Sequence, residues 1–255
     1  MAPRDETVQS LVRGIAVIRS FDADHRRQTI TDVAGRTGLT RAAARRFLIT
    51  LCETGLARSD GKYYELTPAI LEIAQAYISS ASELEVVQGV LRDLSEQFDE
   101  SASAAMMDST DIIYVARAPA RHRIMTIGLG LGTRLPAHAT SMGQALLSLM
   151  NPRELEIYLS SAKLDPCTTH TLTTRTALRH RLDEVRDHGY AIVSEELELG
   201  LRSIAVPVRN RNPRSSIAIN ISAQTARVSA ADMIDRFLPA LQRGLRHIQL
   251  ALDSR

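Results

Sequence analysis

The stretch Thr29–Leu56, TITDVAGRTGLTRAAARRFLITLCETGL, decides the fold of the first part of the chain. It contains two helix-forming runs parted by a glycine. Thr31 stands in a capping position before Asp32, whose charge suits the N-terminal end of a helix dipole. Val33, Ala34 and Thr37 continue that helix, and Gly38 ends it, because glycine tolerates the left-handed turn that follows. Leu39 fills the angle between the helices and Thr40 caps the second. There Ala44, Phe47, Leu48 and Leu51 recur at core spacing. Arg41 and Arg45 fall one turn apart on another face with Arg46 beside them, and Ala42 and Ala43 leave that surface low enough to enter a groove. Arginine reaches guanine edges or holds phosphates, and Thr40 with the backbone at the helix start suits a phosphate.

Upstream, VQSLVRGIAVIRSF (8–21) places Leu11, Val12, Ile15 and Ile18 on one apolar helical face. Downstream, GLARSDGKYYELTP (55–68) reads as two short β runs around Asp60-Gly61, a hairpin with Lys62 at its tip. A lone basic amphipathic helix is more often an ordinary solvated one. A helix, a helix-turn-helix and a wing in immediate succession turn the reading to binding of double-stranded DNA, with Thr40, Arg41, Ala42, Arg45, Arg46 and Lys62 as its contacts.

The 255-residue chain as a whole is ordinary in composition, with 44 % hydrophobic and 24 % charged residues and a formal net charge of +2. It has enough apolar material for two domains, and a nucleic-acid site must be a local patch. Cys52 and Cys167 are far apart and outside any CxxC pair, so neither zinc nor a disulfide framework is expected, and free thiols fit a reducing cytoplasm. MAPRDETVQS lacks the apolar run of a signal peptide, and no window reaches the ~18 apolar residues of a spanning helix. The expectation is a cytoplasmic protein with no metal, cofactor or membrane.

TPAILEIAQAYISS (67–80) puts Leu71, Ala74 and Ile78 on one face. SELEVVQGVLRDLSEQF (82–98) opens with a Ser82/Glu85 capping box and carries a stripe of Leu84, Val87, Leu91, Leu94 and Phe98. These helices either pack on the next domain or pair subunits, since winged domains read palindromic sites as dimers. The boundary falls between Ser79 and Ser82, which makes 1–79 a winged helix-turn-helix with a linker helix and 80–255 a second domain.

Beyond it, ASAAMM and IIYVARA flank DSTD as a hairpin and RIMTI (123–127) is a further strand. GLGLGTRLP (128–136) is neither a P-loop nor a GxGxxG within a βαβ unit, and reads as a loop at the rim of a sheet. RLPAHATSMGQALL (134–147) then turns from polar to apolar, with Thr140 or Ser141 capping a helix. A second helix starts at Asn151 with Pro152 at its first position. A third buries Leu178, Leu182 and Val185 and stops at Gly189. A strand, a polar loop, two more strands and a closing helix from Ser229 with Asp232 complete an α+β domain.

LTRAAARRFLITL, GTRLPAHATSMGQALL, TLTTRTALRHRLDEVRDHGYAIVSEELELGLRSIAVPVRN and AINIS together carry a family likeness. Nearly the whole chain resembles the IclR-type bacterial transcriptional regulators. The resemblance implies a winged helix-turn-helix followed by a GAF-like α/β effector domain that senses a small organic acid, in a homodimer or a tetramer of paired dimers. TRAAARRFL and EELELGLRSIAVPV look most like the subgroup governing protocatechuate, para-hydroxybenzoate and β-ketoadipate breakdown, which implies an aromatic or keto acid effector. By matching positions it also implies a pocket of Ser141, Met142, Ser203, Asn220 and Ser222. Val193 matches a position that is acidic in relatives binding very small acids, so its apolar side chain points to a larger, partly aromatic ligand. Gln144 stands where lysine is common.

A carboxylate needs donors and positive potential, which the helix start at Ser141, Met142 and Gly143 supplies. Arg134 adds a charge-assisted bond if it points inward. Asn220 and Ser222 alternate with Ile219 and Ile221, so they share one sheet face, either the pocket or a polar exterior. His138 is counted with the pocket, although a buried histidine is more often structural. Glu195, Glu196 and Glu198 read as solvated or paired with Arg202. Ser141 and His138 lack a GxSxG elbow and a third partner, so no catalytic residue is assigned. The rival readings are an enzyme acting on a small carboxylic acid with an appended winged domain, and a constitutive DNA-binding protein whose second domain only oligomerises.

Overall fold

The computed structural model describes residues 7–80, 83–120, 129–210 and 215–253, and the chain divides into two compact units, 1–80 and 81–255. The first contains helices α1 (Gln9–Arg19), α2 (Ile30–Thr37) and α3 (Arg41–Glu53), an antiparallel hairpin of β1 (Ala57–Ser59) and β2 (Tyr64–Leu66), and α4 (Ile70–Ser80). The α2 cap is Thr29 rather than Thr31. The Thr29 hydroxyl accepts the Asp32 N–H while the Asp32 carboxylate accepts the Thr29 N–H. This reciprocal box contributes about 1 kcal/mol and starts the helix two residues early. Gly38 ends α2 at φ 69°, and the Thr40 hydroxyl accepts the Ala43 N–H at the head of α3.

Ala44, Leu48 and Leu51 are buried with Val17, Val33, Ala57 and Tyr64, and Phe47 packs half-buried against them. α1 departs from its expected face. Val17, Ile18 and Phe21 meet this core, and Leu11, Val12 and Ile15 are left 62 %, 53 % and 42 % exposed. The helix carries two apolar stripes, and the one leading into Phe21 is the one that docks. In α4, Leu71 and Ala74 are exposed, as are Ile73 and Tyr77.

In the second unit α5 (Glu83–Phe98) is followed by the strands β3 (Ser101–Asp108), β4 (Asp111–Ala118) and β5 (Arg134–Pro136). A short 3-10 helix (Ala137–Ala139) leads into α6 (Ser141–Leu147), α7 (Pro152–Ser161) and α8 (Arg175–His188). Strands β6 (Ala191–Ser194), β7 (Leu201–Val208) and β8 (Ile217–Gln224) precede a last helix built of α9 (Ala230–Asp232), a π turn (Met233–Phe237) and α10 (Leu238–Asp253). Ser82, half of the expected capping box, and the expected strand RIMTI lie outside the described residues.

The six strands form one antiparallel sheet in the order β5-β4-β3-β8-β7-β6. The first and last long strands are thus central neighbours, and the unit closes on itself. Alternation along each strand sends one set of side chains to each side. Ile217, Ile219, Ile221, Ile204 and Val206 pack with Leu84, Val87, Leu91 and Leu94 of α5 and with Leu241 and Ile248 of α10. Ala105, Ala205 and Ala218 face the opposite way, toward Met142, Ala145 and Leu146 of α6 and Leu178, Leu182 and Val185 of α8. Small residues on that face leave room for α6 to lie close.

Asn151 and Glu154 form a capping box on α7 with Pro152 at its first turn, Gly189 stops α8 at φ 78°, and Ser229 with Asp232 caps the last helix. Thr140, not Ser141, caps α6, its hydroxyl accepting the Gly143 N–H.

Gly143 is fixed by close approach, not to a ligand but to the chain itself, because a Cβ there would collide with the carbonyl of Ala137. Gly143→Ala therefore overpacks against backbone and should lower the unfolding free energy by about 1–3 kcal/mol. Gly130→Ala, at a position with nothing within 4 Å, serves as the control. Denaturant melts of the two variants beside wild type check this, and equal stability of all three would refute it.

Candidate functional site

α3 presents Thr40, Arg41, Ala42, Arg45 and Arg46 as exposed residues, with its apolar side turned inward. Arg27, Arg36 and Arg58 of the same unit are ion-paired to Asp60, Asp22 and Glu65. Among the described residues no carboxylate pairs with the three arginines of α3, so their donors face outward. The Thr40 oxygen accepts the Ala43 N–H as the cap, and its O–H retains a donor at this exposed position.

At the hairpin tip the Asp60 carboxylate accepts the backbone N–H groups of Lys62 and Tyr63, which tightens the turn and holds the acid below the usual carboxylate range. Lys62 and Arg27 lie 5.1 and 5.0 Å from the Tyr63 ring centroid. Arg27 was not singled out from the sequence. The HRR run just before Thr29 held the signal, and the Gln28–Tyr64 bridge brings it to the wing.

On the α6 side of the large sheet, Tyr114, Ala139, Thr140, Ser141, Met142, Val193, Leu197, Leu201, Ser203, Asn220 and Ser222 line one cavity. Six of these, namely Ser141, Met142, Val193, Ser203, Asn220 and Ser222, are the positions the family likeness brought together. The strand register explains the convergence. Ser222 pairs with Ser101 and Ser203, and Ser203 with Val193. Asn220 pairs with Ser103 in the next row. A strip of hydroxyls and one amide thus crosses an otherwise small and apolar sheet face, so Asn220 and Ser222 face the interior side.

Asn220 Nδ2 donates to Ser222 Oγ at 3.1 Å. Two polar atoms on the cavity lining have no partner among the described residues, Ser141 Oγ on a residue 1 % exposed and Asn220 Oδ1 on a residue 4 % exposed. A buried polar group left unmatched costs about 1–3 kcal/mol, and both occur at one cavity. The space open to the centre of a water molecule is about 20 Å³, room for about one water. Tyr114, Leu197 and Leu201 also wall the cavity and were missed in the sequence. The alternation of Ile112 and Tyr114 in β4 was a readable sign of the first.

Two expected pocket residues sit elsewhere. Arg134 is bound by Asp108 and Asp111 and also donates to the Asp108 carbonyl. These neighbours hold its guanidinium at the outer edge of the sheet, with Asp108 also raising its pKa. His138 is buried, and its Nε2 donates to the carbonyl of Asp165 at 3.1 Å. It lines a separate hollow with Pro136, Lys163 and Asp165. Burial pushes its pKa down despite that bond, so the imidazole is a neutral brace for the turn before α6. α6 has only seven residues, and Thr140 has already taken one of its first-turn donors. Its dipole is a modest anchor, and the side chains carry the polar recognition.

The acidic loop between β6 and β7 also differs from expectation. Arg202 donates to Ser194 Oγ and the Val228 carbonyl, not to a glutamate. Glu196 is the buried acid. Its Oε1 accepts from Arg181 and its Oε2 from Gln144, each at 2.9 Å. Gln144 Nε2 also donates to the His138 carbonyl at 2.9 Å. Where lysine would bring its own charge, glutamine here bridges, and the cation comes from α8.

The profile described as IclR helix-turn-helix domain matches residues 10–61, and the one described as Bacterial transcriptional regulator IclR C-terminal matches residues 75–250. The Pca regulon regulatory protein of Pseudomonas putida is 40 % identical over 239 residues, covering 94 % of this chain and 82 % of its own. The crystal structure of a Rhodococcus sp. RHA1 protein described as a transcriptional regulator superposes with a TM-score of 0.85 at 44 % identity, over 97 % of this chain and 99 % of that one. The inducer-binding domain of PobR from Acinetobacter, a double mutant in complex with 3-hydroxybenzoic acid, matches with a TM-score of 0.60 at 34 % identity, over 65 % of this chain and 96 % of that one.

Burial raises the pKa of Glu196, more than Arg181 and Gln144 lower it. The folded protein therefore keeps this proton where the unfolded chain has released it. Its contribution to stability is complete below the ordinary glutamate range and falls away as pH rises through the elevated value. Glu196→Gln should remove that part of the decline. Wild-type and variant melts across pH 4 to 8, roughly the span between the unperturbed glutamate pKa and neutrality, should differ in slope. Parallel curves would refute the assignment.

Proposed function

We propose, for a chain that belongs to the IclR family of bacterial transcriptional regulators, that the regulated process is the use of aromatic acids and that a hydroxylated aromatic carboxylate is the effector. The single observation that carries this reading is the cavity with two polar atoms unmatched among the described residues, Ser141 Oγ and Asn220 Oδ1, set among Tyr114, Met142, Val193, Leu197 and Leu201. Apolar walls suit a ring. Asn220 Oδ1 accepts only, so it calls for a ligand O–H, whereas Ser141 can donate or accept. A Pca regulon protein and a hydroxybenzoate-bound domain among the relatives agree with that chemistry. The relatives named are regulators, and nothing supports the enzyme reading.

In this reading α3 enters the major groove with Arg41 and Arg45 on base edges or phosphates, Arg46 and Thr40 on the backbone, and Lys62 with Arg27 on phosphates beside the wing. The operator is a palindrome and the working form a dimer or tetramer, to which the uncovered stripe of Leu11, Val12 and Ile15 on α1 can contribute area. Residues 1–79 serve as the DNA-binding domain with its linker helix and 80–255 as the effector-binding and oligomerising domain. The place of action is the cytoplasm, and among the described residues no helix is long and apolar enough to cross a membrane.

Arg41→Ala or Arg45→Ala should weaken binding to DNA from the protein's own promoter region by about fivefold to a hundredfold, if each removes a contact of about 1–3 kcal/mol. Both variants should keep the wild-type thermal shift with the effector. Band-shift titrations read the first and a thermal-shift panel of aromatic acids, with and without that DNA, reads the second. Unchanged DNA affinity in both variants would sink the helix assignment, and a panel with no shift would sink the aromatic effector.

A further inference from the structure

We propose that the Tyr114 hydroxyl is the donor that receives the effector's carboxylate, so that the acid group lies toward β4 and a ring hydroxyl toward Asn220. This deepens the reading of the cavity as an aromatic-acid site and rests on it. Tyr114 lines the cavity and is 6 % exposed. It packs in the cluster that holds Ile112, Leu135, Ala137 and Met142. Among the described residues no hydrogen bond reaches its hydroxyl. A polar group kept from water without a partner is disfavoured, so the phenol joins Ser141 and Asn220 as a group that a ligand can satisfy.

The strand register separates this donor from the acceptor. Ala104 pairs with Ala116 but Ala105 pairs with Tyr114, so Val115 is an extra residue in β4. Tyr114, Ala105 and Ala218 form one row, and Ser103 with Asn220 belongs to the next. The three members of the first row all pack on the α6 side. Ala105 and Ala218 carry only methyl groups, which leaves the phenol as the polar group of the three. Residues two apart on a strand are spaced by about 6.6 Å, and Ala218 and Asn220 are two apart. A ligand that meets both Tyr114 and Asn220 therefore carries its acid and its hydroxyl at separate positions of the ring.

The chemistry assigns the two ends. Among the described residues lining the cavity none is a cation, so a carboxylate there is met by neutral donors through charge-assisted bonds. Asn220 Oδ1 only accepts and repels an acid anion, and Asn220 Nδ2 is already given to Ser222 Oγ. The Thr140 hydroxyl is engaged at the head of α6. The hydroxyls of Ser141, Ser203 and Ser222 rotate to suit whatever acceptor is near, whereas the phenol is carried on a ring fixed by its packing. A phenol is also more acidic than a serine hydroxyl and so the stronger donor. Burial pushes the Tyr114 phenol up to about 12, which keeps its proton in place at neutral pH.

The test is calorimetric titration of the full chain and of Tyr114→Phe, which removes the hydroxyl and keeps the ring. The ligands are 4-hydroxybenzoate and protocatechuate, then benzoate, which lacks the hydroxyl, and 4-hydroxybenzyl alcohol, which lacks the acid. Ligands too weak to titrate directly are read by displacement of the tighter hydroxy acid. Tyr114→Phe should weaken the hydroxy acids about tenfold or more, as expected for a lost bond to a charged group. Benzoate should weaken by the same factor and 4-hydroxybenzyl alcohol should not change.

Unchanged affinity for the hydroxy acids overturns the proposal. So does a loss confined to ligands that carry the ring hydroxyl, which places Tyr114 at the other end. An equal loss for all four ligands points to a merely structural role and overturns it too. The variant should melt no lower than wild type, because the hydroxyl it lacks is unbonded in the free protein, and a lower melting temperature counts against the assignment in the same way. A wild type that binds neither hydroxy acid overturns the aromatic-acid reading itself, and this proposal with it.

Discussion

The buried carboxylate of Glu196 is the node on which the cavity side of the second unit depends. It joins three elements that are distant in sequence. Gln144 reaches it from α6, Arg181 from α8, and the carboxylate itself stands on the loop between β6 and β7. The same loop is clasped through its backbone, since Thr168 and Thr171 donate to the carbonyls of Glu195 and Glu196 at 2.6 Å. Glu195 and Gly200 adopt φ of 59° and 80°, and the Glu195 side chain accepts the Gly200 N–H. A non-glycine residue in that region costs energy that surrounding bonds must offset. The loop accordingly holds one shape, and it delivers Leu197 and Leu201 to the cavity wall. A buried acid with one charged partner is rarely a source of net stability. Its service here is to fix geometry.

Local chemistry was the legible part of this chain. Gly38, Thr40, Gly189, Asn151 and Ser229 end or start their helices as their residue types dictate. Thr29 and Thr31 were harder, because both precede a helix-compatible run and only the reciprocal bond to Asp32 chooses between them. α1 shows a second limit. Its Leu11–Val12–Ile15 stripe and its Val17–Ile18–Phe21 stripe are each good helical faces, and periodicity does not say which one meets α3. The pocket positions converged because they match a family pattern, and the sheet register supplies the physical reason. Arg134 and His138 looked attractive for their chemistry alone. Their partners, Asp108, Asp111 and the Asp165 carbonyl, lie 23 to 27 residues away, beyond what spacing reveals. Tyr114 was hidden for a different reason, since β4 carries a one-residue bulge at Val115 and a bulge reverses the parity on which any strand reading relies.

The closed cavity has a thermodynamic consequence. Ser141 and Asn220 each leave a polar atom unmatched, a state costing about 1–3 kcal/mol per group. The apolar walls meanwhile leave room for little more than a water. Packing of the apolar walls favours a small cavity, and the unmatched polar atoms count against it. A ligand that supplies both missing partners removes the second penalty while disturbing the first. Such opposition between two terms of similar size is what makes a site responsive rather than merely adhesive.

An effector shifts a conformational equilibrium only by the difference in its affinity for the two forms. The space open to the centre of a water is about 20 Å³, so the proposed aromatic ligand favours a form in which the lining residues stand further apart. In the proposed reading such a form moves the first turn of α6, the loop that Glu196 pins, or both. Either movement acts on Gln144 and Arg181, and through them on α6 and α8 as bodies rather than on single side chains. By linkage, whatever arrangement the DNA-bound state prefers, ligand and DNA change each other's affinity by the same factor. The bonds of Glu196 join α6, α8 and the cavity loop, so a movement of any one of them strains or carries the others.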